Sequence, residues 1–243
     1  LSRAPLIVLV RGALDAEACA ALLSAATQSI DAGKESDTPG AKRRATLGAS
    51  VLAVEQAGLA KLNADVSALL GAELGPWTVH STRQGPCAGP RDASLGLHVD
   101  TLHAPRRFVT ALLYLTSVAE GGGTLFPLAG AGGAAPWSRM ALERAASASQ
   151  LLLDAGVEHT HEVSRAFPRS DGILLALDLL EARVKDPSCG LTVQPVAGDM
   201  VLFFTRDQSG GVDARSWHGG AAVVEGSKWT LQNFMEVPLG TPP

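Results

Sequence analysis

Hydrophobic and polar positions change period several times along this chain, and each change marks an element. Residues 6–12, LIVLVRG, form a short branched apolar run stopped by Gly12, which predicts a strand. LDAEACAALLSAATQSI follows with apolar residues at helical spacing and Asp15 placed as an N-cap. Residues 31–50 carry Gly, Pro, Ser and a KRR run and predict an exposed loop. A second helix is expected over 51–70, ending before Gly71. From there the period shortens. WTVHSTRQ at 77–84 predicts a strand, followed by the breaker-rich GPCAGPRDASLG. RRFVTALLYLTSV is the clearest β segment, with Phe108, Thr110, Leu112 and Tyr114 expected on one face. EGGGTLFP at 120–127 combines a glycine turn with a short strand. Across 128–195, AGAGGAAP has a linker composition and WSRMALERAASASQLLLDAG a helical pattern. ILLALDLLEARVKD fits a second helix or a strand–helix pair. The β pattern returns from 196 in VAGDMVLFFT, HGGAAVV and KWTLQNFMEV, with a turn at QSGGVD. Many short strands with helices outside them predict an antiparallel sandwich or barrel.

Composition narrows this picture. A chain of 243 residues, 46% hydrophobic and 18% charged, is one domain with a sizeable core. A net charge of -4 argues against a bulk electrostatic hold on nucleic acid or anionic membrane. The apolar runs are too short to span a bilayer. Cys19, Cys87 and Cys189 are odd in number and widely spaced, so they read neither as a disulfide framework nor as a zinc knuckle. A soluble, cytoplasmic setting is the expectation. The chain opens on Leu1, which leaves a trimmed targeting segment open.

The candidate chemistry lies in GLHVD at 96–100 and SWHGGAAVVEGSKW at 216–229. HVD is expected to form a strand, on which His98 and Asp100 leave the same face while Val99 points into apolar packing. One imidazole and one carboxylate on one face are two-thirds of the facial triad that holds non-haem Fe(II) with open positions, and His218 is the candidate third ligand. Lys228 follows far enough on for the chain to return on a neighbouring strand.

HVD, RFVTALLYLTSVAEGGGTLFP, GDMVLFF and DARSWHGGAAVVEGSKW together resemble the prolyl 4-hydroxylase-like branch of the Fe(II)/2-oxoglutarate dioxygenases, in the family's order and spacing. The resemblance implies a mainly β fold with flanking helices, a double-stranded β-helix (a cupin-like jelly roll). Its core would be 77–127 and 196–237, with 1–76 as an N-terminal strand and supporting helices and 128–195 as an insertion of lid type. It further implies Fe(II) on His98, Asp100 and His218. The cosubstrate 2-oxoglutarate would lie against Lys228, Tyr114 and Thr124, with O2 as co-reactant and ascorbate as a compatible reductant. Arg107 and Phe234 would face the substrate. The implied reaction couples oxidative decarboxylation of 2-oxoglutarate to C–H hydroxylation of a peptidyl proline, with a free amino acid or small metabolite as the alternative substrate. Three departures are visible. Phe234 stands where the family has a second tryptophan, the stretch before HVD lacks tyrosine, and 128–195 is long.

The remaining candidates read as structural. Trp229 is expected in the core and Asp199 and Asp213 in turns. His80, His103, His159 and His161 are expected on the surface or in loops, with His103 near the metal rim. A non-catalytic metal-binding jelly roll is the rival of another class, but it has no need for Lys228. A zinc hydrolase lacks an identifiable general base beside the motif.

Overall fold

Strand alternation sorts the side chains of this protein into layers, and the layers put the candidate site between two sheets. The computed structural model describes residues 2–32, 42–46, 56–85, 96–130, 136–163 and 171–237. In chain order these form β1 (Ser2–Arg3), β2 (Leu6–Val10), α1 (Ala16–Ala32), β3 (Lys42–Thr46) and α2 (Gln56–Leu70). Next come β4 (Glu73–Leu74), β5 (Thr78–Arg83), β6 (Arg107–Tyr114), β7 (Glu120–Gly121) and β8 (Thr124–Phe126). Two helices follow, α3 (Pro136–Asp154) and α4 (Asp171–Lys185). The chain closes with β9 (Leu191–Val193), β10 (Met200–Phe204), β11 (Gly219–Gly220), β12 (Val223–Glu225) and β13 (Ser227–Glu236).

The large sheet has the order β1-β2-β10-β6-β13-β5-β3, with β4 also on β13, and its pairs are antiparallel. A smaller sheet runs β11-β8-β9, and β12 pairs with β7. The outer face of the large sheet carries Val79, Val109, Ala111, Leu113, Leu202 and Leu231, which pack under Leu22, Leu59, Leu62 and Val66 of α1 and α2. Between the sheets lie Ile7, Tyr114, Phe126, Val193, Val201 and Phe203. The outer face of the small sheet, with Leu125 and Ala221, is covered by α3 and α4 through Leu152, Leu153, Ile173, Ala176 and Leu180. The result is helix, sheet, sheet, helix: the mainly β jelly roll with flanking helices that the resemblance implies. Each fully buried Leu or Val in these layers contributes about 1.5–3 kcal/mol.

Local signals explain the ends. The Asp15 carboxylate accepts from the Ala18 N–H at 2.8 Å and caps α1. Gly71, at φ +63°, closes α2 with its N–H on the Ser67 carbonyl. ILLALDLLEARVKD is a single helix, because Ile173, Ala176, Leu180 and Val184 fall on one buried stripe. Among the described residues no helix is long and apolar enough to cross a membrane.

Three expectations change. Part of the stretch expected to be a loop at 31–50 is β3, paired with β5 from Lys42 opposite Thr82 to Thr46 opposite Thr78. The open edge of β5 has backbone groups to satisfy, and KRRAT satisfies them without any apolar period to announce it. The rest of that loop (33–41 and 47–50) lies outside the described residues, as do 51–55 of the second helix. So do most of the breaker-rich stretch (86–95, with Cys87) and of AGAGGAAP (131–135). HVD forms no continuous strand but an isolated bridge at His98. Finally, Phe108 does not share a face with Thr110, Leu112 and Tyr114. The register between β13 and β6 slips by one residue at Met235/Glu236, so Phe108 is the extra residue of a bulge. Its ring packs with Phe204 against the outer core.

Candidate metal centre

His98 is held between two antiparallel neighbours. Its N–H donates to the His218 carbonyl at 2.8 Å and its carbonyl accepts from the His218 N–H at 2.9 Å. On its other side it bridges His159. The two-residue period then sends Leu97 and Val99 outward into the core under α3 and α4, and His98 and Asp100 inward. His98 Nε2 lies 3.6 Å from Asp100 Oδ1, and His218 Nε2 lies 3.4 Å from Asp100 Oδ2. One ligand atom from each of the three side chains lies within 4.8 Å of the others, the only such cluster among the described residues.

This donor set suits a divalent ion with open positions. Two ligands about 2.1 Å from a common octahedral ion and at right angles are about 3 Å apart, close to the spacing found. The surroundings also prepare the ligands. Thr110, fully buried, donates its hydroxyl to Asp100 Oδ2 at 2.7 Å and orients the carboxylate. His218 Nδ1 lies 2.9 Å from the Ser216 carbonyl, which can only accept. A proton on Nδ1 would satisfy that carbonyl, and Nε2 is the ring nitrogen on the Asp100 side. Phe203 and Phe126 pack on the same ring, with centroids 4.5 and 5.8 Å away. Gly219 is required next to His218: a Cβ there would sit 2.6 Å from the Gly96 carbonyl oxygen.

A cavity of about 520 Å³ opens from this cluster, and Thr124, Lys228, Arg107 and Phe234 all line it. At one side Lys228 Nζ donates to Thr124 Oγ1 at 3.3 Å, and the Tyr114 hydroxyl lies 2.8 Å from the same oxygen. Tyr114 is fully buried beneath Thr124 and is not among the lining residues, so it meets the cavity only through that hydroxyl. Burial pushes its phenol well above the ordinary range, which keeps it neutral. At the other side the Arg107 guanidinium stacks 3.8 Å from the Phe234 ring centroid and donates to the Asp100 carbonyl. The bulge at Phe108 is what turns Arg107 inward, since unbroken alternation would put it on the outer face with Val109.

The structure brings His98, Asp100, His218, Lys228, Thr124, Arg107 and Phe234 to one cavity, with Tyr114 behind Thr124, and adds several others. His80, His159 and His161, read as surface or loop residues, line the cavity. His80 is buried on β5 opposite Thr230, one step along the inner face from Thr82 opposite Lys228. The signal was the alternation of WTVHSTRQ, which fixes two faces but not which one looks inward. His159 and His161 share the two-residue spacing of His98 and Asp100, and the His159 ring stacks on His98 at 5.2 Å. His103 is exposed, with Nε2 3.8 Å from Glu158. Trp229 is in the outer core, and Asp199 and Asp213 serve turns and caps as expected.

Comparison with known proteins agrees with this geometry. Over 139 residues the chain is 28% identical to probable prolyl 4-hydroxylase 10 of Arabidopsis thaliana, covering 57% of this chain and 34% of the relative. It is 24% identical to probable prolyl 4-hydroxylase 7 of the same plant, covering 98% of this chain and 64% of the relative. The chain thus spans less than two thirds of the length of these curated relatives. Among solved structures, the viral collagen prolyl hydroxylase of Paramecium bursaria Chlorella virus-1, in its 2OG complex, superposes with a TM-score of 0.53 at 13% identity over 96% of both chains. The α-ketoglutarate-dependent epimerase SnoN of nogalamycin biosynthesis gives 0.50 at 20% identity, over 98% of this chain and 84% of its own. At those identities the likeness is one of fold. Residues 87–236, which contain the whole His98–Asp100–His218 cluster and Lys228, match the family profile, and the chain belongs to the 2OG-Fe(II) oxygenase superfamily.

Proposed function

We propose that this chain is an Fe(II)- and 2-oxoglutarate-dependent hydroxylase of prolyl 4-hydroxylase type, acting on a prolyl residue in a peptide. The observation that carries the reading is the pairing, in one cavity, of the His98–Asp100–His218 cluster with the Lys228–Thr124 pair. His98, Asp100 and His218 would hold the metal, and Fe(II) bound there supplies oxidative decarboxylation of 2-oxoglutarate coupled to C–H hydroxylation. The chain's own groups divide the rest. Lys228 offers a half-buried positive charge to the distal carboxylate of the cosubstrate, and Thr124 adds a hydroxyl held by Tyr114. Leu112 and Phe203, also on the cavity wall, exclude water from the carbon chain between the two carboxyl groups. Arg107, stacked on Phe234, forms the wall on which the substrate ring would rest. The prolyl assignment draws on the curated relatives, which are prolyl 4-hydroxylases by name.

The test is aerobic incubation with Fe(II), 2-oxoglutarate, ascorbate and a proline-rich peptide, following succinate and the peptide mass. Peptide that gains one oxygen atom, in step with succinate, is the expected result. No cosubstrate-dependent succinate with any peptide or amino acid would overturn the reading. A second substrate class, a free amino acid, is favoured by one observation. The cavity of about 520 Å³ falls within the small-molecule range. Succinate formed with free proline but not with the peptide would select it.

A further inference from the structure

The described parts of the long 128–195 segment are threaded through the small sheet. The segment leaves the sheet after β8 and returns as β9, the neighbour of β8. Between those points α3 and α4 cover the outer face of the sheet. Between α3 and α4, residues 158–160 cross to the opposite edge and add a short antiparallel strand beside the metal-ligand segment. The Val99 N–H donates to the Glu158 carbonyl at 3.1 Å, and the Thr160 N–H to the Leu97 carbonyl at 2.8 Å. The Leu97 N–H donates to Thr160 Oγ1 at 3.0 Å. His98 and His159 therefore form a non-hydrogen-bonded pair, the position at which facing side chains lie closest. Their rings respond by stacking, with centroids 5.2 Å apart and planes 22° from parallel. Val157 and Val163, buried in the core under α3 and α4, anchor this strand at both ends.

Both edges of the His98 segment are thus occupied, one by His218 and the other by His159. We propose that residues 158–160 are a built-in positioning strand for the metal ligand His98, with His159 as the positioning residue, and that this part of the insertion is a fixed wall of the cavity instead of a lid. The inference rests on the reading of His98 as a ligand to a divalent ion. The strand fixes the His98 backbone by hydrogen bonds on both sides of it, and the His159 ring restricts rotation of the imidazole. Ligands ordered before the ion arrives lose less entropy on binding.

Two measurements on the full chain test this. Hydrogen exchange of metal-free protein should show slow exchange at the amides of Val99 and Thr160, unchanged when Co(II) and 2-oxoglutarate are added. Fast exchange that slows only on loading would mean a closing lid and would overturn the proposal. Anaerobic Co(II) titration, read by visible absorption, should show His159→Ala weakened about tenfold. His159→Phe, which keeps a stacking ring, should recover most of that loss, with thermal midpoints of all three proteins alike. Wild-type affinity in His159→Ala, or no recovery in His159→Phe, would refute the positioning role. Should His159→Ala fold poorly, Thr160→Val removes only the hydroxyl on Leu97 and should weaken Co(II) binding about threefold; unchanged affinity there counts against the strand. Wild-type protein that binds no Co(II) would instead overturn the metal-site reading, a distinct failure.

Discussion

Lys228→Met removes the positive charge from the side of the cavity proposed for the cosubstrate while keeping an unbranched stem of similar length. Lys228 is half-buried, its ammonium lies 3.3 Å from Thr124 Oγ1, and the Tyr114 ring centroid lies 5.6 Å away. An ammonium and a carboxylate about 4 Å apart attract by about 4 kcal/mol at an effective dielectric of 20. Desolvating both groups offsets part of this, leaving about 2–3 kcal/mol of net binding. The dissociation constant for 2-oxoglutarate should therefore rise about 30- to 150-fold. The assay is anaerobic titration of the Fe(II)-loaded protein with 2-oxoglutarate, followed by the charge-transfer absorption of a chelated keto acid. Pyruvate, a keto acid without the distal carboxylate, is the control: it should bind wild type and variant about equally. An unchanged 2-oxoglutarate constant, or an equal loss for pyruvate, would refute the reasoning. The first result would remove Lys228 from the cosubstrate site, and the second would mean that the substitution damages the metal end.

Three further outcomes follow from the same geometry. His98→Ala and His218→Ala each leave two donors, so tight Co(II) binding and succinate formation should both be lost; normal turnover in either would sink the ligand assignment. Thr110→Val deletes a buried hydrogen bond to a carboxylate with little change of shape, a contact worth about 1.5–3 kcal/mol. Competition with a chelator should show metal affinity down about tenfold, and wild-type affinity would show that Thr110 does not orient Asp100. Gly219→Ala would put a methyl group 2.6 Å from the Gly96 carbonyl oxygen, backbone that cannot rotate aside. The His98 and His218 strands must then separate, so the melting midpoint and the Co(II) affinity should fall together, and a drop in only one would contradict that coupling.

How much of this was legible in the chain depended on the range of the signal. His98 and Asp100 could be read together because two residues on an extended segment share a face, whether the segment is a full strand or, as found, a single bridge. Asp15 and Gly71 marked helix ends because capping is local chemistry. Tyr114, Thr124 and Lys228 meet in the fold, and only the fold shows that Tyr114 reaches the cavity through Thr124. The misses share a cause. KRRAT became a strand because β5 needed a partner, a demand set by residues more than thirty positions away. Phe108 changed face through a slip opposite Met235 and Glu236, which no pattern within RRFVTALLY encodes. His159 joined the site because its strand pairs with a segment some sixty residues earlier. Periodicity reports which residues share a face; pairing decides which face looks inward.

That distinction also separates the groups proposed to carry the chemistry from those proposed to meet the substrate. The ligands and Lys228 sit on paired segments at the inner face, where a one-residue slip would exchange His98 for Val99 and replace a ligand with a methyl-bearing side chain. Little variation is tolerable there. Arg107, Phe234 and His161 are different, because they reach the cavity through a bulge, a strand end and an insertion. Each can change without disturbing the ladder that carries His98 and His218. Substitutions that alter substrate choice while leaving cosubstrate binding intact are therefore expected at these three positions, and the Arg107–Phe234 stack, lining the same cavity as the His98–Asp100–His218 cluster, is the first place to look.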